Sequence, residues 1–432
     1  MLDYDIVILG AGVSGLSAAF HASHIAPNKR ILVLEGSKRI GGQSGSKPIE
    51  SQLATEHGVF TTHEMGIHTL FTNDSYVASF YDSLGVVRQP RNAKIVIKTD
   101  PLVVVDYPYQ ANVKQLPEAM RYEQPIRDSG MPQTSCFANE LLKTYGQTHC
   151  DNFFHPYNGK KFGSGDIYQL PPNWGQRKHV GQETGKGHCP EVVYPKDRDF
   201  QAMPDALHAR SGKNVDFRFE CNVPQEGGID TVRRTIQVIN NGPVPLYGTG
   251  YCTEVIRYKT LINTTRYPLT EHMYDQEYQK LFTGMFKPAY CYIYTVVVDT
   301  ANVVDPGVHW HIVADGKLGL LRVANHNALR SIPEHGKTLL VAEVTENDVY
   351  HHMLLPELQQ AGIIKDPVGM FGNKHIRTGI LYSQDAREQA DAYIHALKKG
   401  GVWCIGRFGR AEYLDCDECI LDGRQAAMEA TS

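Results

Sequence analysis

No apolar run in these 432 residues is long enough to span a bilayer. That excludes an integral membrane helix. A surplus of one charge is missing too. The 43 Lys and Arg nearly balance 47 Asp and Glu, for a formal net charge of −4, and the pI is near 6.5. With no basic block, general attraction to nucleic acid or other polyanions is not implied. Low-complexity tracts and internal repeats are also absent. Cysteine is sparse, nine in all, scattered and odd in number, which does not suit a disulfide framework. Cys416 and Cys419 form C-x-x-C, but D-C-D-E-C-I has no second pair for zinc, so no metal is expected. A redox disulfide there competes with the commoner role of cysteine as a small buried residue. The first strand begins at about Tyr4, which leaves no room for a signal peptide. The expected compartment is soluble, reducing and cytoplasmic. At this length, two or three domains are expected.

What the chain does have is concentrated at residues 4–36, YDIVILGAGVSGLSAAFHASHIAPNKRILVLEG. The apolar run Ile6 to Leu9 stops at a turn holding Gly10, Gly12 and Gly15 in G-x-G-x-x-G spacing. An alanine-rich helix and a second apolar run, Ile31 to Leu34, lead to Glu35. This order predicts the first βαβ unit of a dinucleotide-binding α/β fold. The first glycine permits the tight turn, the second lets backbone approach a pyrophosphate, and the third lets helix and strand pack closely. The helix N-terminus offers free N–H groups to the phosphates. Glu35, about twenty residues past Gly15, stands where a carboxylate accepts hydrogen bonds from a ribose. The following GSKRIGGQS places Arg39, Gly41 and Gly42 just beyond the second strand. That extension resembles FAD-binding proteins of the glutathione-reductase and amine-oxidase type, and implies FAD rather than NAD.

Past residue 48 the pattern loosens. Residues 85–109 read as two or three short strands rich in Val and Ile. Residues 113–145 turn helical, and 155–195 read as a long ligand-binding loop rich in Gly, Pro, Lys and His. The segments 215–223 and 258–265 look like late strands of the dinucleotide-binding domain. Residues 290–300, 308–314, 318–326 and 337–345 predict a sheet, and QDAREQADAYIHALKKG a helix. The expected architecture is a discontinuous FAD-binding domain (1–80, about 200–270 and 385–432), a helical insert (113–165), and a mixed or antiparallel sheet domain for substrate (85–112 and about 285–380).

Four further islands stand in order: GIHTLFTND (66–74), VDYPYQANVKQLP (105–117), FFHPYNGKKFG (153–163) and GRFGRAEYLDCDECI (406–420). With the glycine turn they resemble the UDP-galactopyranose mutase family in order and spacing, from residue 4 to about 428. The resemblance implies a redox-neutral isomerase that interconverts the pyranose and furanose forms of a nucleotide-diphosphate sugar. In that family, N5 of reduced FAD attacks the anomeric carbon and expels the nucleoside diphosphate. The cofactor then supplies the hard chemistry, and the protein supplies position and charge. An external reductant such as NAD(P)H is implied, and a homo-oligomer is compatible.

The resemblance also assigns roles to residues. A leaving diphosphate needs cations, and Arg177 and Arg322 fall where the family places its clamps, with Lys178 an equally placed cation beside the first. Tyr382 and Tyr413 match tyrosines whose hydroxyls reach phosphate. His68 matches a histidine near the flavin, and Gln110 an amide near the active site. Gly406, Arg407, Asp415 and Asp417 match the last motif on the FAD side. Phe153, Tyr157 and Asn158 match base-contacting positions, and Phe162 stands where the family usually has tryptophan. Near His309–Ile312 the family's phosphate-binding tyrosine is absent. The departures fall on the nucleotide and sugar side, which points to a related sugar or another base. Two rivals share the glycine turn. One is an oxidoreductase of the amine-oxidase or protoporphyrinogen-oxidase type. The other is a non-enzymatic binder like the Rab GDP-dissociation inhibitors, against which the intact Gly10, Gly12, Gly15 and Glu35 argue.

Overall fold

The computed structural model describes residues 2–48, 62–121, 136–162, 166–172, 174, 191–196, 199–224, 227–240, 254–265, 287–330, 336–345 and 352–432. Its first unit is β1 (Leu2–Leu9), α1 (Val13–Ile25) and β2 (Ile31–Leu34). β1 pairs in parallel with β2 on one side and with Glu254–Asn263 on the other. β2 pairs in parallel with Val215–Arg218. The second half of Glu254–Asn263 pairs in parallel with Val402–Cys404, and its first half pairs antiparallel with Thr235–Asn240. All four residues of β2 are buried, as a parallel strand covered on both faces requires. This is an α/β fold whose mainly parallel sheet is drawn from widely separated stretches of chain.

The alanine and serine content of α1 has a packing cause. Residues Val13 to Ala19 are all buried, so the helix has hardly a wet face along its first two turns. Behind it lies α2 (Cys416–Thr431). The two helices touch backbone to backbone: a Cβ on Gly423 would stand 2.5 Å from the Ser14 carbonyl oxygen. The Ser17 hydroxyl donates to the Ile420 carbonyl at 2.6 Å. The glycine turn at the start of α1 and the N-terminus of α2 therefore open toward the same space.

The second sheet has seven strands, in the order Met370–Leu381, Lys287–Asp299, Lys337–Val344, Leu320–Asn325, Trp310–Val313, Ala93–Thr99 and Leu102–Asp106. It is mixed: Ala93–Thr99 and Trp310–Val313 run parallel, and the other neighbours antiparallel. One face packs Val296, Val298, Leu320, Val323 and Leu340 against Leu354 and Leu358. The other face carries Trp310, Ile312 and Arg322 toward the cavity described below.

Two expectations need correction. Val86–Pro90, grouped above with this sheet, pairs instead with Glu191–Pro195 in a separate two-stranded ribbon. It lacks a fully buried residue, so no sheet face holds it in the core. The stretch 155–195, read as a loop, contains the helix His155–Phe162 and that ribbon strand. The helix continues from a π-helical turn at Cys150–Phe154, and Pro156, which has no N–H to give, falls at the junction. The Lys160 ammonium then ties the helix down, donating to the carbonyls of Asp315, Leu318 and Leu320 at 2.9, 3.4 and 2.8 Å.

Candidate functional site

A cavity of about 1130 Å³ runs from the glycine turn past the helix His155–Phe162 to the second sheet. Single ligand pockets are commonly about 300–1,000 Å³, so this one has room for a dinucleotide and a second ligand.

The cofactor end is made of backbone. A Cβ on Gly12 would meet nothing within 4 Å, so the turn presents a bare, open surface to the cavity. That is the cradle a pyrophosphate needs. A Cβ on Gly15 would stand 2.0 Å from the Gly10 carbonyl oxygen, and this position faces protein, not the cavity. The turns at Gly10–Gly12 and Gly41–Gly42 are joined, with the Gly41 N–H donating to the Ala11 carbonyl at 2.8 Å. Glu35 is held at the rim: its two carboxylate oxygens accept from the backbone N–H groups of Ala11 and Ser37, each at 2.8 Å. Gly10, Gly12, Glu35, Arg39 and Gly42 all line the cavity, and the residues present fit a dinucleotide cofactor.

The last motif closes this end. Asp415 caps α2 in a capping box, its own N–H donating to the Glu418 carboxylate at 2.7 Å. Arg407 donates from Nε to the Leu414 carbonyl at 2.7 Å, lies 3.5 Å from Asp415, and covers the Tyr413 ring at 4.6 Å. Arg407 and Asp415 line the cavity; Gly406 and Asp417 stand behind its wall. Gly406 instead donates its N–H to Asp422 at 2.6 Å, and Asp417 is buried.

His68 lines the cavity and stacks on Phe200, ring centroids 4.9 Å apart. Its Nδ1 is 3.9 Å from the carboxylate of Glu64, whose pKa burial pushes well above the usual carboxylate range. Gln110 lines the same wall, its amide 3.5 Å from the Tyr145 hydroxyl.

At the far end, side chains make the surface. Tyr109, Phe153 and Tyr157 form a ladder of near-parallel rings, with centroid spacings of 4.7 and 5.6 Å. Asn158 lines the cavity while its amide donates to the Phe154 carbonyl at 2.8 Å. Phe162 meets Trp174 edge-on at 5.6 Å, and Trp174 lies 5.9 Å from Tyr413. Tyr382 sits one layer back, against Trp174 at 4.7 Å and under the Arg387 guanidinium, and does not line the cavity. Arg177 and Lys178 lie outside the described residues.

Arg322 reaches the cavity, but its fork is engaged. Nε and Nη2 donate to the two oxygens of the buried Glu343 carboxylate at 2.5 and 2.8 Å. A phosphate would meet only the end of the guanidinium. Sequence reasoning missed two further cations on the wall. Lys161 donates to the Tyr413 hydroxyl at 3.0 Å, and Arg91 lies 5.3 Å from the ring centres of both Tyr107 and Trp310. Lys161 was visible within the third island; nothing in the sequence around Arg91 marks it.

A family model described as an NAD(P)-binding Rossmann-like domain matches residues 8–84. No curated protein matches the chain. Among solved structures, a reduced UDP-galactopyranose mutase superposes with a TM-score of 0.77 at 19% identity, covering 99% of this chain and 93% of its own. A protein from Exiguobacterium sp. 255-15 assigned as a protoporphyrinogen oxidase gives 0.69 at 14%, covering 99% and 98%. Wild-type putrescine oxidase bound to putrescine gives 0.61 at 13%, covering 99% of each chain. At these identities the likeness is one of fold: an α/β protein with a Rossmann-like dinucleotide-binding unit and a second sheet.

Proposed function

We propose that this protein is a flavoenzyme that uses reduced FAD to interconvert the pyranose and furanose forms of a nucleotide-diphosphate sugar. One observation carries the reading: a single cavity joins a backbone cradle for a dinucleotide to an aromatic ladder flanked by Lys161, Arg91 and Arg322. We assign the cofactor to a discontinuous domain built from residues 1–80, about 200–270 and 385–432, and the nucleotide to the helical insert and second sheet. When bound and reduced, the flavin supplies a nucleophile for the anomeric carbon and ends the cycle with no net loss of electrons.

The chain's own groups bind and orient. Gly12 and the N-terminus of α1 take the cofactor pyrophosphate, and Glu35 takes its ribose. The Tyr157 ring, at the end of the ladder and backed by Phe153, takes a nucleobase by stacking, as aromatic faces do with any base. Lys161, with the Tyr413 hydroxyl 3.0 Å away, holds the leaving diphosphate, and the end of Arg322 adds charge. Arg177 is assigned the same task from the family resemblance. The walls of Phe162, Trp174 and Trp310 exclude water from the reacting centre.

One observation favours an FAD-dependent oxidase instead. The bidentate Arg322–Glu343 pair neutralises a cation that a diphosphate would use. The deciding experiment is anaerobic incubation of dithionite-reduced protein with nucleotide hexoses and pentoses, with ring form read by NMR. Ring exchange by the reduced protein, and none by the oxidised protein, is expected. No exchange, together with stoichiometric oxygen consumption on amines, would establish the oxidase.

A further inference from the structure

The C-x-x-C pair has no part in the function proposed above. Cys416 and Cys419 are free thiols on the first turn of the 16-residue α2, and both line the cavity. Residues three apart on a helix share a face, with Cβ atoms about 5–6 Å apart. A disulfide needs about 3.5–4.5 Å. Cys416 is the first helical residue, where no intrahelical bond holds its N–H, so the gap closes with a small local movement. Each sulfur is placed by a serine of a different glycine turn. The Ser44 hydroxyl is 3.3 Å from the Cys416 sulfur, and the Ser14 hydroxyl hydrogen-bonds the Cys419 thiol. Both sulfurs therefore belong to the cofactor end and not to the nucleotide end.

We infer that Cys416 and Cys419 are a dithiol–disulfide couple that exchanges two electrons with a flavin bound in this cavity. The inference rests on the flavin reading above. The step balances: two S–H bonds break and one S–S bond forms, while two electrons and two protons pass from the thiols to the oxidised ring. An external thiol or dithiol then restores the pair by exchange. A redox-neutral catalyst that needs reduced flavin stops whenever the flavin is oxidised, and this pair gives it a way back. Burial raises both thiol pKa values, that of Cys416 to about 12. Both thiols therefore stay protonated and react slowly with bulk oxidants.

The test uses purified holoprotein with its flavin content measured first. Under anaerobic dithiothreitol, wild-type flavin should bleach at least ~10-fold faster than flavin in Cys416→Ser or Cys419→Ser. All three should bleach alike with dithionite and carry equal flavin. Mass spectrometry of the oxidised wild type should give a Cys416–Cys419 disulfide peptide. Equal dithiothreitol rates in flavin-loaded wild type and both variants, or no such peptide, would overturn this inference and leave the flavin reading standing. Protein without flavin would overturn both.

Discussion

The two ends of the cavity are built by different means. At the glycine turn the surface offered to a ligand is main chain, fixed by the pairing of β1 with β2 and by the contact of α1 with α2. At the other end it is a set of side chains: a ladder of rings and three cations. A main-chain site tolerates most side-chain changes nearby but no added atom within it. A side-chain site can be rewritten one residue at a time without disturbing the fold. A dinucleotide cradle is thus locked into the architecture, and the far end is left to replaceable parts.

The largest effect should come from adding one carbon at the main-chain end. Gly15→Ala puts a Cβ 2.0 Å from the Gly10 oxygen, and should cost at least about 3 kcal/mol in urea unfolding by overpacking. Gly12→Val, whose side chain enters open space, should abolish flavin absorbance and keep the unfolding midpoint of flavin-free wild type. A stable, flavin-loaded Gly15→Ala protein would refute the backbone account.

Next comes Arg322. Removing it strands a buried carboxylate, so Arg322→Ala should lose about 3–5 kcal/mol of stability. The paired change Arg322→Met with Glu343→Leu should regain most of that. If Arg322 also serves the ligand, the double variant should still bind UDP roughly ten-fold more weakly, the worth of a charge-assisted hydrogen bond. Wild-type UDP affinity in the stable double variant would make Arg322 purely structural.

A further effect comes from pH. Burial lowers His21, His309 and His311 to about 4 from an ordinary 6.5. His21 is held neutral between the Ser17 carbonyl and the Tyr76 hydroxyl, at 2.7 and 2.6 Å. Between those two values the unfolded chain binds more protons than the folded one. The stability these groups carry is therefore complete above 6.5 and drains as pH falls toward 4, by up to about 3 kcal/mol for each. Urea midpoints that stay flat from pH 7 to 4.5 would contradict this. Two of the three histidines sit in or beside the second sheet, so the nucleotide end should loosen first, seen as UDP release before flavin release.

The smallest effect tests the ladder. Tyr157→Ala should cost about 1–3 kcal/mol of nucleotide affinity with flavin retained. Competition among UDP, CDP, GDP and ADP shows which base the ladder prefers. Strong selectivity that survives both Tyr157→Ala and Phe162→Ala would mean the base is read elsewhere.

The same contrast governs what could be read from sequence. Gly10, Gly12, Gly15 and Glu35 are consecutive signals within one βαβ unit, and their geometry follows from local rules. The far end depends on register and depth, which are not local. Arg322 and Glu343 become partners only because their strands pair with those residues opposite each other. Lys160 and Lys161 are adjacent and chemically alike, yet one is sunk against three carbonyls and the other faces the cavity. Tyr382 looked equivalent to Tyr413 as a tyrosine near a motif, and the intervening Trp174 sets it back. Asp417 matched its motif by spacing, but the α2 N-terminus turns it away from Asp415 and into the protein.

The Lys160 ammonium has a mechanical meaning. Its three N–H groups fasten the helix that bears Tyr157, Asn158 and Phe162 to the edge of the strand that bears Arg322. That fastening fixes the spacing between the rings that would grip a base and the cation that would meet its phosphates.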